Sequence, residues 1–384
     1  VKVLRGRSPI DGAAIEVSFA DGVITDLRAA THDEPVWISA GLFDLQVNGF
    51  GGADANAEDV TAETILQLTE KVLTTGTTTF LPTVITSSED KMVRSLRAIA
   101  KARRLSSVAR NAIPCVHVEG PNISPVDGFR GAHPLEHVRE PSLEEFARWQ
   151  AASDGLVGLI TLSPHSPNAA EYIAAVTKQG VSVSLGHTHA TSEEIRKAVD
   201  AGARLSTHLG NGTAALLPRH SNVVWTQLAE DRLTAMFIAD GQHVPAEAMT
   251  VMVRAKGVQR SILVSDAVAV AGNPPGIYDT AVGGRVELHA NGRLSLAGTE
   301  YLAGAVLPLK DGVARMCSMT GVSLAQALAM ATVNPGRFVG GGGLLEVGAR
   351  ADLIRFTIND SMTEMVLDTV LVGGETWNCE SRCS

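Results

Sequence analysis

The sequence predicts an α/β protein: a (β/α)8 TIM-type barrel with a small β-sandwich-like domain formed by both termini. Three observations lead there. Eight short apolar runs alternate with helical patterns through the middle of the chain. Both ends carry short alternating segments instead. Most of the eight runs finish in an ionisable or amide side chain, as barrel strands do where they deliver chemistry to one face.

The ends come first in chain order. "ADGVITDL" alternates apolar and polar residues around Asp21-Gly22, which is a hairpin signal. "GARADLIRFTINDSMTEMVLDTVLVGGETW" has the same texture. Residues 1–39 plus 340–384 are therefore assigned to the small domain, and 40–339 to the barrel. The barrel strands are expected at 42–47, 78–84, 113–118, 157–162, 181–186, 204–209, 235–239 and 261–265. Between them lie "TAETILQLTEKVLTTG", "EDKMVRSLRAIAKARR", "NAAEYIAAVTKQG", "TSEEIRKAVDAG" and "PAEAMTVMVRAKG", all with helical periodicity. Thr191 followed by Glu194 reads as a capping box, and Gly202 as the helix stop. Segment 272–299 breaks the rhythm and reads as a β excursion over the barrel mouth. "GGGG" at 340–343 lacks the Lys-Ser/Thr of a nucleotide loop and reads as the return into the small domain.

Composition sets bounds on function. The chain has 384 residues, 45% hydrophobic and 19% charged, which is globular. The net charge of −9 argues against nucleic acid, whose backbone selects a basic face. Four scattered cysteines, Cys115, Cys317, Cys379 and Cys383, read as reduced thiols, the last two in a polar tail. With neither a signal-peptide pattern nor a membrane-length apolar run, the expectation is a soluble, cytoplasmic protein.

The strand ends carry the chemistry. Strand one ends in Gln46 and Asn48, strand three in Glu119, strand five in His187 and strand six in His208. Strand seven ends in Asp240 with His243 beyond it, and strand eight in Asp266. Glu119, His187 and His208 form a carboxylate–imidazole–imidazole set with an open position, as catalytic zinc sites have. Bound zinc lowers the pKa of water toward ~7. Asp266 would take the water proton and return it to the leaving nitrogen. Strand one lacks the His-x-His, and strand four the lysine, that two-metal barrels use, so one divalent ion per chain is expected. Zinc is the default; iron, manganese or cobalt would also suit an N/N/O set. His189 is the rival of His187 as ligand. His117 shares the inward face of its strand with Glu119, as second shell or as a packed core histidine.

Beyond these residues, the stretches "GLFDLQVNGFGG", "HVEGPNISPVDGFRGAHP", "SVSLGHTHAT", "THLGNGT", "IADGQHV", "VSDAVAVAG" and "LLEVGARADLI" occur in order along nearly the whole chain. In them the chain resembles the amidohydrolase superfamily, and within it the N-acetylglucosamine-6-phosphate deacetylases. That resemblance implies hydrolysis of an N-acetyl amino sugar phosphate to amine and acetate. It implies Glu119, His187 and His208 as metal ligands and Asp266 as the catalytic acid–base. It implies His133, Asn211, Gly212 and His243 at the substrate. It also implies Arg219 reaching the phosphate in the partner's site of a homodimer. The Gln46-x-Asn48 variant occurs in that family among one-metal members, and both amides are read as second-shell groups. "HLGNGTAALLPRHSN" departs from the usual sequence after the strand-six histidine. The alternatives to that substrate are another N-acyl amino sugar or N-acyl amino acid, or a catalytically silent sugar-binding role.

Overall fold

The computed structural model describes residues 1–280 and 284–377. Cys379 and Cys383 lie outside the described residues, while Cys115 and Cys317 are free thiols.

Eight parallel strands form one sheet: β1 (Leu42–Val47), β2 (Thr77–Ile85), β3 (Val116–Glu119), β4 (Val157–Leu162), β5 (Ser182–Leu185), β6 (Leu205–Ser206), β7 (Thr234–Phe237) and β8 (Ser261–Leu263). Strand β1 is buried along its whole length, as a strand covered on both faces must be. Phe43, Leu45, Leu81, Leu159, Leu205, Met236 and Ile262 pack into one buried cluster inside the barrel. Strand β6 is shorter than its apolar run suggested, and β3 starts three residues later than the expected 113.

No full ladder joins β8 to β1. The seam closes through a bridge between Val47 and Ala267, and through Asp266 N–H to the Gln46 carbonyl at 3.0 Å. The Asp44 carboxylate completes it. It accepts from the Gln46 amide at 3.1 Å and the Ser265 amide at 3.2 Å, bridging the first and last strands. Burial pushes Asp44 up to about 7.

The helices follow from their caps and faces. In Ser192–Ala201, the Thr191 hydroxyl accepts from the Glu194 amide at 3.2 Å, and the Glu194 carboxylate accepts from the Thr191 amide at 2.6 Å. Ile195, Ala198 and Val199 are the buried stripe, spaced three and four apart. Gly202 ends the helix with φ of 126°, a conformation that favours glycine. Loss of the Thr191 cap would cost about 1 kcal/mol.

Strands from the two ends of the chain form a single mixed sheet, seven-stranded among the described residues. Strand Leu353–Ile358 pairs antiparallel with Trp37–Ala40, which stitches the C-terminal half of the chain to the N-terminal half. Asp21 and Gly22, both at positive φ, make the two-residue turn between Ala14–Ala20 and Val23–Ala29. The excursion is a three-stranded antiparallel sheet, Gly276–Thr280, Gly284–Leu288 and Leu294–Leu296. Its residues Thr280 and Leu294 help line the cavity at the barrel mouth. No helix among the described residues is long and apolar enough to cross a membrane.

Candidate active site

A cavity of about 360 Å³ opens at the C-terminal ends of the strands. Glu119, His133, His187, His208, Asn211, Gly212, His243 and Asp266 line it, together with Asn48. Sequence reasoning placed all of these at the site. Gln46 and His117 lie beneath it, fully buried. Arg219 sits on an exposed loop and does not line this chain's cavity.

The ligand-type atoms converge. Glu119 Oε1 lies 3.0 Å from His208 Nε2 and 3.4 Å from His187 Nε2. His187 Nε2 is 3.1 Å from His208 Nε2 and 3.3 Å from His133 Nε2. Four ligands at about 2.0–2.1 Å from a tetrahedral ion stand about 3.3 Å apart, so this spacing fits one metal. Glu119, His133 and His187 also form a buried group whose ligand atoms fall within 4.8 Å of one another. His133, assigned from sequence to the substrate, is thus a further imidazole at the same point.

The outer nitrogens support this. His187 Nδ1 faces the Phe129 carbonyl at 3.1 Å, which can only accept, so Nδ1 donates there and Nε2 is the nitrogen turned toward the other donors. His133 Nδ1 faces the Thr86 hydroxyl at 2.8 Å. Burial, with the His187 charge adding to it, lowers His133 to about 3, so its ring is neutral. Burial opposes ionisation of Glu119, but its hydrogen bonds to His187 and His208 outweigh that and hold it well below the usual range. Burial likewise opposes charge on His208, and the Glu119 hydrogen bond reverses this to a net upward shift. A buried carboxylate with three imidazoles around one point is a donor set that a divalent cation fits, displacing the protons that now bridge Glu119 to His187 and His208.

The rivals are spent elsewhere. His117 donates Nδ1–H to the Leu45 carbonyl at 3.0 Å and meets the Thr161 hydroxyl through Nε2 at 2.7 Å. Burial lowers it to about 4. It is a neutral, fully bonded support under Glu119. His189 Nδ1 is held by the Ser124 hydroxyl at 2.6 Å, outside the cavity lining.

Strand β1 braces the two carboxylates. Gln46 Nε2 donates to Glu119 Oε1 at 2.9 Å, and Asn48 Nδ2 donates to Asp266 Oδ1 at 2.8 Å. The opposite oxygens, Gln46 Oε1 and Asn48 Oδ1, are buried without a partner. Burial first, then the Glu119 charge, raise Asp266 to about 6. Asp240 accepts from His243 Nδ1 at 2.6 Å and from two backbone amides, so it both closes its turn and orients His243 toward the cavity.

Three features had no sequence signal. His187, His208 and Asp266 all have positive φ, 46°, 27° and 50°. Such backbone costs roughly 1–3 kcal/mol per residue and gathers at functional sites. Gly212 has φ of 58°, and a Cβ there would stand 2.8 Å from His187 Nδ1. Thr86 and the Phe129 carbonyl become partners only through the path of the loop after β3.

A profile of the Amidohydrolase family matches residues 37–377. The chain belongs to the amidohydrolase family, and its chemistry is that of a hydrolase. It is 31% identical to the N-acetylglucosamine-6-phosphate deacetylase of Bacillus subtilis, over 82% of this chain and 79% of the relative. It is 34% identical to the N-acetylgalactosamine-6-phosphate deacetylase of Shewanella sp. (strain ANA-3), over 88% and 85%. The crystal structure of N-acetyl-D-glucosamine-6-phosphate deacetylase from Mycobacterium smegmatis superposes with a TM-score of 0.88 at 25% identity, covering 98% of this chain and all of the other.

Proposed function

We propose that this enzyme deacetylates an amino sugar 6-phosphate, with N-acetyl-D-glucosamine 6-phosphate as the substrate. The observation that carries this is the placement of Asp266 in one cavity with the Glu119–His187–His208 donors. Glu119, His187 and His208 would hold a divalent ion, zinc by ligand type, which when bound would supply a Lewis acid for the acetamido carbonyl and acidify a water. Asp266 accepts the proton from that water as its oxygen attacks the carbonyl carbon, then gives it to the sugar nitrogen as the C–N bond breaks. The second water proton leaves with the acetic acid and passes to the amine, so the products are acetate and the ammonium form of the sugar. Asn48 holds one Asp266 oxygen, leaving the other for proton transfer. His133 and His243 are assigned to the substrate, His243 with its free Nε2.

The phosphate needs a cation, and no lysine or arginine lines the cavity among the described residues. Arg219, exposed on the loop after β6, suits that role from the partner subunit of a homodimer, where its planar fork can grip phosphate oxygens. N-acetyl-D-galactosamine 6-phosphate is the second reading, favoured by the 34% identity to the Shewanella enzyme. Acetate release from both phosphates and from the unphosphorylated sugars, with metal content measured on the same sample, tests the reading. Faster turnover of N-acetyl-D-glucosamine 6-phosphate is expected. Equal turnover without phosphate would overturn the substrate assignment, and a preference for the galacto epimer would shift it to the second reading.

A further inference from the structure

Besides Glu119 and Asp266, a third carboxylate, Asp54, lines the cavity, and nothing in the chemistry above uses it. It sits in a built position. The strand pair Gly49–Phe50 and Ala53–Asp54 folds back on itself, with Asp54 directly across from Gly49. The Ala55 amide donates to the Asn48 carbonyl at 2.9 Å, so Asp54 is tied to the residue that holds Asp266. Asp54 Oδ1 accepts from the Asn56 amide at 2.8 Å. Asn56 is pinned in turn: its Nδ2 donates to the Thr83 carbonyl and its Oδ1 accepts from the Ile85 amide, both at 2.9 Å.

Asp54 Oδ2 has no hydrogen-bond partner among the described residues. Lys91 attracts the carboxylate, but that amine is paired with Glu58 at 3.3 Å. Burial raises the Asp54 pKa. A carboxylate with one fixed and one open oxygen, facing a cavity, is an acceptor for a donor that arrives with the ligand. It also repels anions, so the phosphate end of a substrate must lie elsewhere. Asp54 is tied through Ala55 to Asn48, which holds Asp266, and all three line one cavity, so a ring seated with its acetamido group at Asp266 turns its neighbouring hydroxyls toward this wall.

We infer that Asp54 is a substrate-specificity residue that accepts a hydrogen bond from the ring hydroxyl next to the acetamido carbon, at C3 or C1 of the hexosamine phosphate. This rests on the deacetylase reading. Hydroxyls at C3 and C1 are common to the gluco and galacto series, so Asp54 selects a hexosamine without choosing between C4 epimers.

The test compares wild type with Asp54→Asn, which keeps an acceptor for Asn56. Substrates are N-acetylglucosamine 6-phosphate and its 1-deoxy, 3-deoxy and 4-deoxy analogues, with metal content measured throughout. A charge-assisted hydrogen bond predicts a loss in kcat/KM of roughly 10- to 100-fold for the parent substrate. That penalty should vanish with the 1-deoxy or the 3-deoxy analogue and persist with the 4-deoxy one. A penalty that vanishes only with the 4-deoxy analogue, or with none, overturns the assignment. So does Asp54→Asn with unchanged kcat/KM. If Asp54→Asn loses metal or fold, Asp54→Ser, which keeps an oxygen for the Asn56 amide, takes its place under the same criteria. Absence of acetate release by wild type from either hexosamine phosphate would instead remove the deacetylase reading, and this assignment with it.

Discussion

Asp44 offers a measurable consequence of barrel closure. Its carboxyl is 1% exposed and spans the β1–β8 seam through the amides of Gln46 and Ser265. Burial raises it from 3.8 to about 7 in the fold. Between those two values the folded chain holds a proton that the unfolded chain has lost. Stability from this group is therefore present below the unfolded pKa and declines as pH rises through the folded one. The span of about three units, at about 1.36 kcal/mol each, gives roughly 4 kcal/mol by pH 8. For a chain of this length the unfolding entropy is about 0.8 kcal/mol per kelvin, so the shift in Tm is roughly 5 °C. Asp44→Asn keeps the shape and removes the titration. Thermal melts of wild type and Asp44→Asn in chelator, from pH 5 to 8, isolate the term as the difference between the two curves. From pH 5 to 8 about two of those units are lost, roughly 2.7 kcal/mol, so the variant's Tm should gain roughly 3 °C on wild type across that range. A difference that stays flat with pH would refute the claim that burial holds a proton on Asp44.

Asp266→Asn should retain its metal but lose acetate release by at least roughly 10³-fold, read by coupled acetate assay and metal analysis. Because the carboxylate must be ionised to accept a proton and lies near 6, wild-type kcat/KM should fall as pH drops below about 6. Gly212→Ala would drive a Cβ into His187 at 2.8 Å from Nδ1. Metal affinity should fall roughly 10- to 100-fold by chelator competition, as when support of a ligating histidine is disturbed. Arg219→Ala should raise KM for the phosphorylated sugar and leave the rate on the unphosphorylated sugar unchanged, measured by initial rates on both.

The barrel was legible because its physics is local. Each buried strand is an apolar run, and several helices carry their own cap and stripe, as between Thr191 and Gly202. Glu119, His187, His208 and Asp266 could be named because barrel chemistry sits where strands end. The rest depended on contacts distant in sequence. The meeting of His133 with His187 spans 54 residues and depends on the loop that follows Glu119. The Asp44 seam spans 221 residues. The parallel pairing of Arg7 with Trp37 in the small sheet has no periodicity to reveal it. Gly212, placed at the substrate by resemblance alone, has a steric reason in its φ and its distance to His187, which no pattern in the sequence carries.

The amides of β1 can now be judged by what they hold. Histidines at 46 and 48 would bring two ring nitrogens for a second ion. Amides bring an N–H donor and a carbonyl acceptor on one planar group, and amides are poor ligands for transition metals. The N–H side of each is used, on Glu119 and on Asp266. A carboxylate so bound is oriented and more easily kept ionised. In a one-ion site with fewer cations to fix its acids, that donation does part of what a second cation would do. The acceptor sides, Gln46 Oε1 and Asn48 Oδ1, are buried without a partner among the described residues, so nothing else holds these two positions as amides. Replacing both residues by histidine should therefore raise the metal count above one per chain. An unchanged count would mean that the amides brace the acids without occupying a metal position.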